Sequence, residues 1–222
     1  MSMKSKKVGV IMLDTKFPRL VGDIGNPEGF AFPLIYKTVT GATPIKVVEE
    51  QSSALLQPYI AAAQELVREG ADIVTTSCGF LACFQSEIQS HVAVPVITSS
   101  LSMLEDLERQ YGEGNVGILT ISRASMSPEF LKRSGVPKST PIGSTENGKE
   151  FSQAILSNRA QFDEAQCRKD VIEAALKLVS DHPQVKAIIL ECTNMPPHEA
   201  AIRQATGRSV YSLNTLLQSK AC

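Results

Sequence analysis

The chain has 222 residues, a formal net charge of −1, an ordinary composition and no tryptophan. That length admits one large domain or two small ones with a real core. The balanced charge offers no basic footprint for nucleic acid and no anchor for an anionic membrane, and five cysteines at low density fit reduced thiols in a reducing compartment.

Residues 1–7 are a polar, basic lead-in, expected to be loose. Val8–Leu13 (VGVIML) is a continuous apolar run, the pattern of a central parallel strand covered on both faces. It is too short to span a bilayer or to form a signal-peptide core, so the protein is expected in the cytoplasm. After Asp14-Thr15, residues 16–33 form a long loop with Gly and Pro, carrying Arg19, Asp23 and Asn26. Loops of this length inside compact domains are often functional. The β-branched content of residues 45–48 reads as a second strand. A helix follows, with Pro58 in its first turn, Tyr59, Ile60, Ala63, Leu66 and Val67 at helical spacing, and Gly70 as its cap. Residues 72–75 read as a strand leading to Cys78. Phe80, Leu81, Phe84 and Ile88 suggest a short helix, and residues 94–97 another strand.

Residues 100–110 read as a helix capped by Ser100 and stopped by Gly112. Val116–Thr120 is a strand, Ser127-Pro128 opens a short helix ending near Gly135, and residues 141–148 are a loop after a weak strand. Asp163 with Gln166 makes a capping-box-like start for a long helix whose apolar face is Val171, Ile172, Ala175, Leu178 and Val179. Ala187–Leu190 is a strand running into Cys192. Pro196-Pro197 opens a helix that Gly207 closes, and residues 209–212 and 214–219 are a last strand and helix. The alternation predicts an α/β protein with parallel sheets.

A repeat is visible. Residues 71–80 (ADIVTTSCGF) and 185–195 (VKAIILECTNM) are each an apolar strand that runs into a cysteine among small polar groups. VGVIML and VGILT open the two halves, and the step from Gly9 to Cys78 is close to that from Gly117 to Cys192. Two such halves would face each other across a cleft, where ligands bind in open α/β sheets. Taken singly, each cysteine reads as a buried core thiol. The duplication points instead to a paired-thiol site.

Thr-Thr-Ser-Cys at 75–78, Glu-Cys-Thr-Asn-Met-Pro at 191–196, the VGV…DT start and the order of elements resemble the aspartate/glutamate/hydantoin racemase superfamily over nearly the whole chain. The resemblance implies two pseudo-symmetric α/β lobes with the active site between them. Residues 1–98 with 208–222 would form the first lobe, the last strand and helix returning to it, and residues 99–207 the second. It also implies a homodimer. Members include aspartate, glutamate and hydantoin racemases, maleate isomerase and arylmalonate decarboxylase. The last of these resembles the family with one active-site cysteine, so the pair here points to racemisation or isomerisation. Asp14-Thr15-Lys16-Phe17-Pro18-Arg19 stands where glutamate racemases carry Asp-Ser-Gly-x-Gly-Gly, and Gly79-Phe80 and Thr193-Asn194 replace their Asn-Thr and Thr-His. These departures argue against a glutamate racemase of the cell-wall type.

Inverting a carbon acid needs a base on one face and an acid on the other, and two thiols, Cys78 and Cys192, meet that demand. A helix N-terminus can bring a thiol toward a working thiolate near neutral pH. The substrate, a small carboxylate, would sit against backbone N–H groups near Gly79 and Thr193, with hydroxyls from Thr76 and Ser77. Asp14 tunes Cys78, by analogy with the family, or caps a turn. Glu191 tunes Cys192 or lies in an outward salt bridge, and Arg19 binds a second carboxylate or is a surface arginine. Asn26, Thr120 and Asn194 are further binding candidates at loop and strand ends. His198 reads as part of a helix's first turn, and Cys83, Cys167 and Cys222 as structural. No cofactor or metal is implied: there is no glycine-rich phosphate loop, no metal-ligand cluster and no lysine beside either cysteine. The resulting reading is a cofactor-independent amino-acid racemase or epimerase. The alternatives are a cis–trans isomerase or decarboxylase of a dicarboxylate, and a non-catalytic two-lobed binding module.

Overall fold

The computed structural model describes residues 5–222. Its frame is two four-stranded, all-parallel sheets of one topology. In the first, β1 (Val8–Leu13) lies between β2 (Leu34–Val39) and β3 (Ile73–Thr76), and β4 (Val96–Ile97) extends β3. In the second, β5 (Val116–Thr120) lies between β6 (Ile142–Ser144) and β7 (Ala187–Leu190), and β8 (Ser209–Tyr211) extends β7. The fold is α/β, with β3, β5 and β7 buried along their whole lengths, and β1 at every position but Met12, as strands covered on both faces. The repeat is therefore structural: Cys78 and Cys192 each leave the sheet two residues past the third strand of their half.

The long helices α2 (Leu56–Arg68) and α7 (Glu164–Asp181) occupy equivalent places. Each comes close to its sheet over a glycine: a Cβ at Gly9 would meet Leu66 Cβ at 2.9 Å, and one at Gly117 would meet Leu178 Cδ2 at 3.0 Å. That is the physical content of the VGV and VGI starts. Asp163 accepts from Gln166 N at 3.0 Å as expected, but the Gln166 amide turns to Asp170 at 2.7 Å, so only half of a capping box forms.

Several expectations change. Residues 45–48 are not a strand but belong to helix α1 (Pro44–Val48). Pro44 starts it from an extended Thr43, and burial of Pro44, Val47 and Val48 outweighs β propensity. The place beside β1 is taken by β2, directly after the 16–33 loop. Helix α6 (Phe151–Leu156), unmarked by any cap or periodic run, lies between the expected loop and α7. The last strand does not return to the first lobe: Val210 pairs with Ile188, so β8 finishes the second sheet, reached from β7 by an ordinary crossover through α8 (Glu199–Thr206). Only α9 (Leu213–Ala221) returns, burying Leu213, Leu217 and Ala221 against Val8, Val10 and Ile73. The first four residues of the expected loose lead-in lie outside the described residues. Lys6 N donates to Ala221 O at 2.9 Å and Lys7 N to Asp72 Oδ2 at 2.8 Å. No helix among the described residues is long and apolar enough to cross a membrane.

Candidate active site

The two cysteine loops meet in one narrow cavity between the sheets. Leu13, Phe17, Arg19, Ser77, Cys78, Gly79 and Phe80 line it from one lobe, with Pro44 and Val48 of α1, and Ile121, Ile155, Glu191, Cys192, Thr193 and Asn194 line it from the other. The lining is mostly apolar, and both thiols are nearly closed off, 8% and 7% exposed.

Backbone bonds set the two loops. Ser77 N donates to Ile11 O, and Ser77 Oγ accepts from Leu13 N at 2.9 Å, which ties the Cys78 loop to the end of β1. Thr76 Oγ1 is spent on Thr98 O at 2.7 Å and Cys78 O at 2.9 Å. Cys78 is extended and stands at the N-cap of the 3-10 helix Gly79–Phe84, without a side-chain capping bond. Across the cleft, Glu191 N bonds Leu119 O, and Thr193 Oγ1 donates to Ser77 O at 2.6 Å, joining the lobes beside the thiols. Thr193→Val removes that donor and leaves the buried Ser77 carbonyl without it. It is expected to lower stability by about 1–3 kcal/mol in urea unfolding.

Glu191 is 1% exposed, which leaves it inside the protein and not in an outward salt bridge among the described residues. Thr120 Oγ1 donates to its Oε2 at 2.8 Å, while Oε1 is buried without a partner. The carboxyl lies against the backbone of Gly79, where a methyl group would overlap both Oε1 and the Glu191 carbonyl. Only glycine fits there. Burial pushes Glu191 up to about 8, against the opposing Thr120 bond. Burial, then the Glu191 charge, raises both thiols, while the Phe80 N–H and Arg19 pull Cys78 back.

Arg19 is in the wall and not on the surface, its side chain 10% exposed. It stacks over Phe17 with 4.6 Å to the ring centroid, donates to Thr15 Oγ1 at 3.0 Å and pairs with Asp23 at 3.1 Å. Among the described residues its Nε is buried with no partner, and it is the single cation in the lining. Asp23 reaches across the cleft to Asn194 Nδ2 at 2.5 Å.

Of the residues singled out from sequence, Arg19, Ser77, Cys78, Gly79, Glu191, Cys192, Thr193 and Asn194 are brought together. Asp14, Asn26, Thr76 and Thr120 stand outside the lining. Asp14 Oδ2 caps Gly41 N at 2.9 Å, Asn26 braces the loop through Arg19 O at 2.9 Å, and Thr120 reaches the cavity only through Glu191. His198 is buried behind Asn194, edge-on to Phe151, and burial pulls it down to about 4. Sequence reasoning did not assign a role to Asp23 or to Tyr59, a fully buried phenol beside Cys78 whose hydroxyl has no partner. Among the described residues, no group of three or more His, Cys, Asp or Glu could hold a metal ion.

The profile of the family described as Asp/Glu/Hydantoin racemase matches residues 35–220. The chain is 30% identical to a dimethylsulfoniopropionate lyase of Durusdinium sp. clade D over 95% of its own length and 72% of that protein's. It is 29% identical to dimethylsulfoniopropionate lyase 6 of Emiliania huxleyi (strain CCMP1516), over 96% of this chain but only 58% of that one. Among solved structures, unliganded arylmalonate decarboxylase superposes with a TM-score of 0.60 at 16% identity, covering 98% of this chain and 91% of its own. An aspartate racemase homologue from Pyrococcus horikoshii OT3 gives 0.60 at 16%, covering 97% of each chain. At that identity the two structures establish likeness of fold.

Proposed function

The chain belongs to the Asp/Glu/Hydantoin racemase family, a family of enzymes, and from that premise we propose that it removes the proton next to the carboxylate of a small substrate without a cofactor. The observation that carries this reading is the pair of thiols, Cys78 and Cys192, lining one apolar cavity from two lobes with a half-satisfied arginine in its wall. Arg19 Nε and the backbone N–H groups near Gly79 and Thr193 would take the carboxylate. Burial favours the protonated form of both thiols. A substrate with its own cationic group, ammonium or sulfonium, would bring in the charge that favours a thiolate.

We take β-elimination as the first reading, with dimethylsulfoniopropionate as substrate, on the strength of relatives that align over nearly all of this chain. A thiolate accepts the α-proton, the C–H electron pair becomes the new π bond, and the C–S pair leaves with dimethyl sulfide. The other product is acrylate, and the proton stays on the thiol. Phe17 and Phe80 would face the sulfonium methyl groups. Amino-acid racemisation is the second reading, favoured by the presence of two thiols: the proton leaves to one and returns from the other on the opposite face. Proton NMR in heavy water with dimethylsulfoniopropionate and a panel of amino acids tests both. Acrylate and dimethyl sulfide signals establish the lyase, and loss of one α-proton signal without a new product establishes the racemase. If neither appears in a folded preparation, the reading is wrong for these substrate classes.

A further inference from the structure

The two thiols are not equivalent, and the difference comes from the 16–33 loop. Cys192 Sγ lies 3.6 Å from Asn194 Oδ1, and the Nδ2 of the same amide donates to Asp23 Oδ2 at 2.5 Å. Asp23 is 1% exposed, salt-bridged to Arg19 through both oxygens, and also accepts from Gly25 N at 2.7 Å. An ionised carboxylate only accepts hydrogen bonds, so the NH2 end of the Asn194 amide must face it. The carbonyl end then faces Cys192. An amide oxygen also only accepts, so the sulfur opposite it carries a hydrogen. Among the described residues the Cys78 sulfur has no such side-chain acceptor, and that distinguishes the two thiols.

The surrounding charges act in the same sense. Glu191 faces both sulfurs. Arg19 faces Cys78, with Cys83 and Tyr59 as the other titratable groups beside it. Cys192 faces Asp23 and Cys78. Arg19 therefore favours the Cys78 thiolate and Asp23 disfavours that of Cys192, while Glu191 acts on both.

We propose that Asp23 is a positioning residue: by holding the Asn194 amide it keeps a proton on Cys192, which makes Cys78 the base of the pair and Cys192 its acid. This rests on the two-thiol reading of the cavity. Asp23 and Cys192 belong to different lobes, so the order of the two thiols is set by a contact across the cleft.

The test is the alkylation rate of each cysteine by iodoacetamide from about pH 6 to about pH 10, resolved by peptide mass spectrometry, with the exposed Cys222 as internal reference. The expected result is a reactivity midpoint for Cys78 at least about one pH unit below that of Cys192, or roughly tenfold in rate below both midpoints. In Asp23→Asn the Cys192 midpoint falls toward that of Cys78, because the amide is free to turn its NH2 to the sulfur and the nearby negative charge is gone. Coincident or inverted midpoints in the unaltered protein overturn the proposal, and so does an Asp23→Asn variant in which both thiols move alike or neither moves. If Asp23→Asn fails to fold, Asn194→Leu serves instead: an unmoved Cys192 midpoint there refutes the proposal. The measurement uses no substrate, so its failure is separate from a failure to find turnover.

Discussion

Cys78→Ser is expected to lower turnover by about 10²–10⁴-fold, the usual contribution of a positioned base, because an alcohol holds its proton far more tightly than a thiol. The expectation for Cys192→Ser depends on the reaction, and the comparison between the two variants separates the two readings. Elimination leaves no stereocentre at the α-carbon and needs no second proton donor. Cys192→Ser would then cost about tenfold through lost packing and altered charge, far less than Cys78→Ser. Racemisation in both directions needs each thiol as base in one direction and acid in the other, so either substitution would cost the same 10²–10⁴-fold. Proton NMR of substrate and product, run on both variants alongside the unaltered protein, gives the ratio directly. Full activity in both would remove the thiols from the mechanism.

Glu191→Gln is expected to stabilise the protein at alkaline pH and not at acid pH. Buried Glu191 keeps its proton up to about 8, whereas in the unfolded chain a glutamate releases it near about 4.3. Between these values the folded protein binds more protons than the unfolded chain, so its stability falls as pH rises. The cost is absent below about pH 4 and complete above about pH 8, where it amounts to roughly 4–5 kcal/mol at about 1.4 kcal/mol per pH unit. Glutamine keeps an oxygen for Thr120 and carries no charge, so the difference between the two proteins isolates the carboxyl. Urea unfolding at about pH 5, 6, 7 and 8 should show the variant gaining steadily on the parent. Parallel curves would mean that Glu191 is ionised and stabilised in a way its one side-chain hydrogen bond does not account for.

Such a residue is an unusual thing to bury, and its surroundings were built for it. Gly79 has no side chain because the Glu191 carboxyl occupies that space, and Thr120 spends its hydroxyl on it. Each of the three was visible as a candidate in the sequence, but for a different reason: Gly79 for its backbone N–H, Thr120 as a strand end, Glu191 as a neighbour of Cys192. That they are one unit is a matter of register, since β5 and β7 run side by side with Leu119 opposite Leu190.

The sequence by itself determined the α/β class, the duplicated halves and the two cysteines at equivalent strand ends. These are local patterns: strands covered on both faces are continuously apolar, and a helix–strand alternation forces parallel pairing. It misjudged residues 45–48, where a proline start and burial beat β-branched propensity, and the last strand, whose partner lies outside its own segment. Only the tertiary structure decided which polar residues act together. Arg19 and Asp23 lie in a loop with no periodicity, and nothing in their spacing says that they enter the wall of the cavity or reach Asn194, 171 positions away. Hydrogen-bond partners of this kind are chosen by where the folded lobes bring two chains together, and by the cost of leaving a buried polar atom unpaired, neither of which is written in the order of residues.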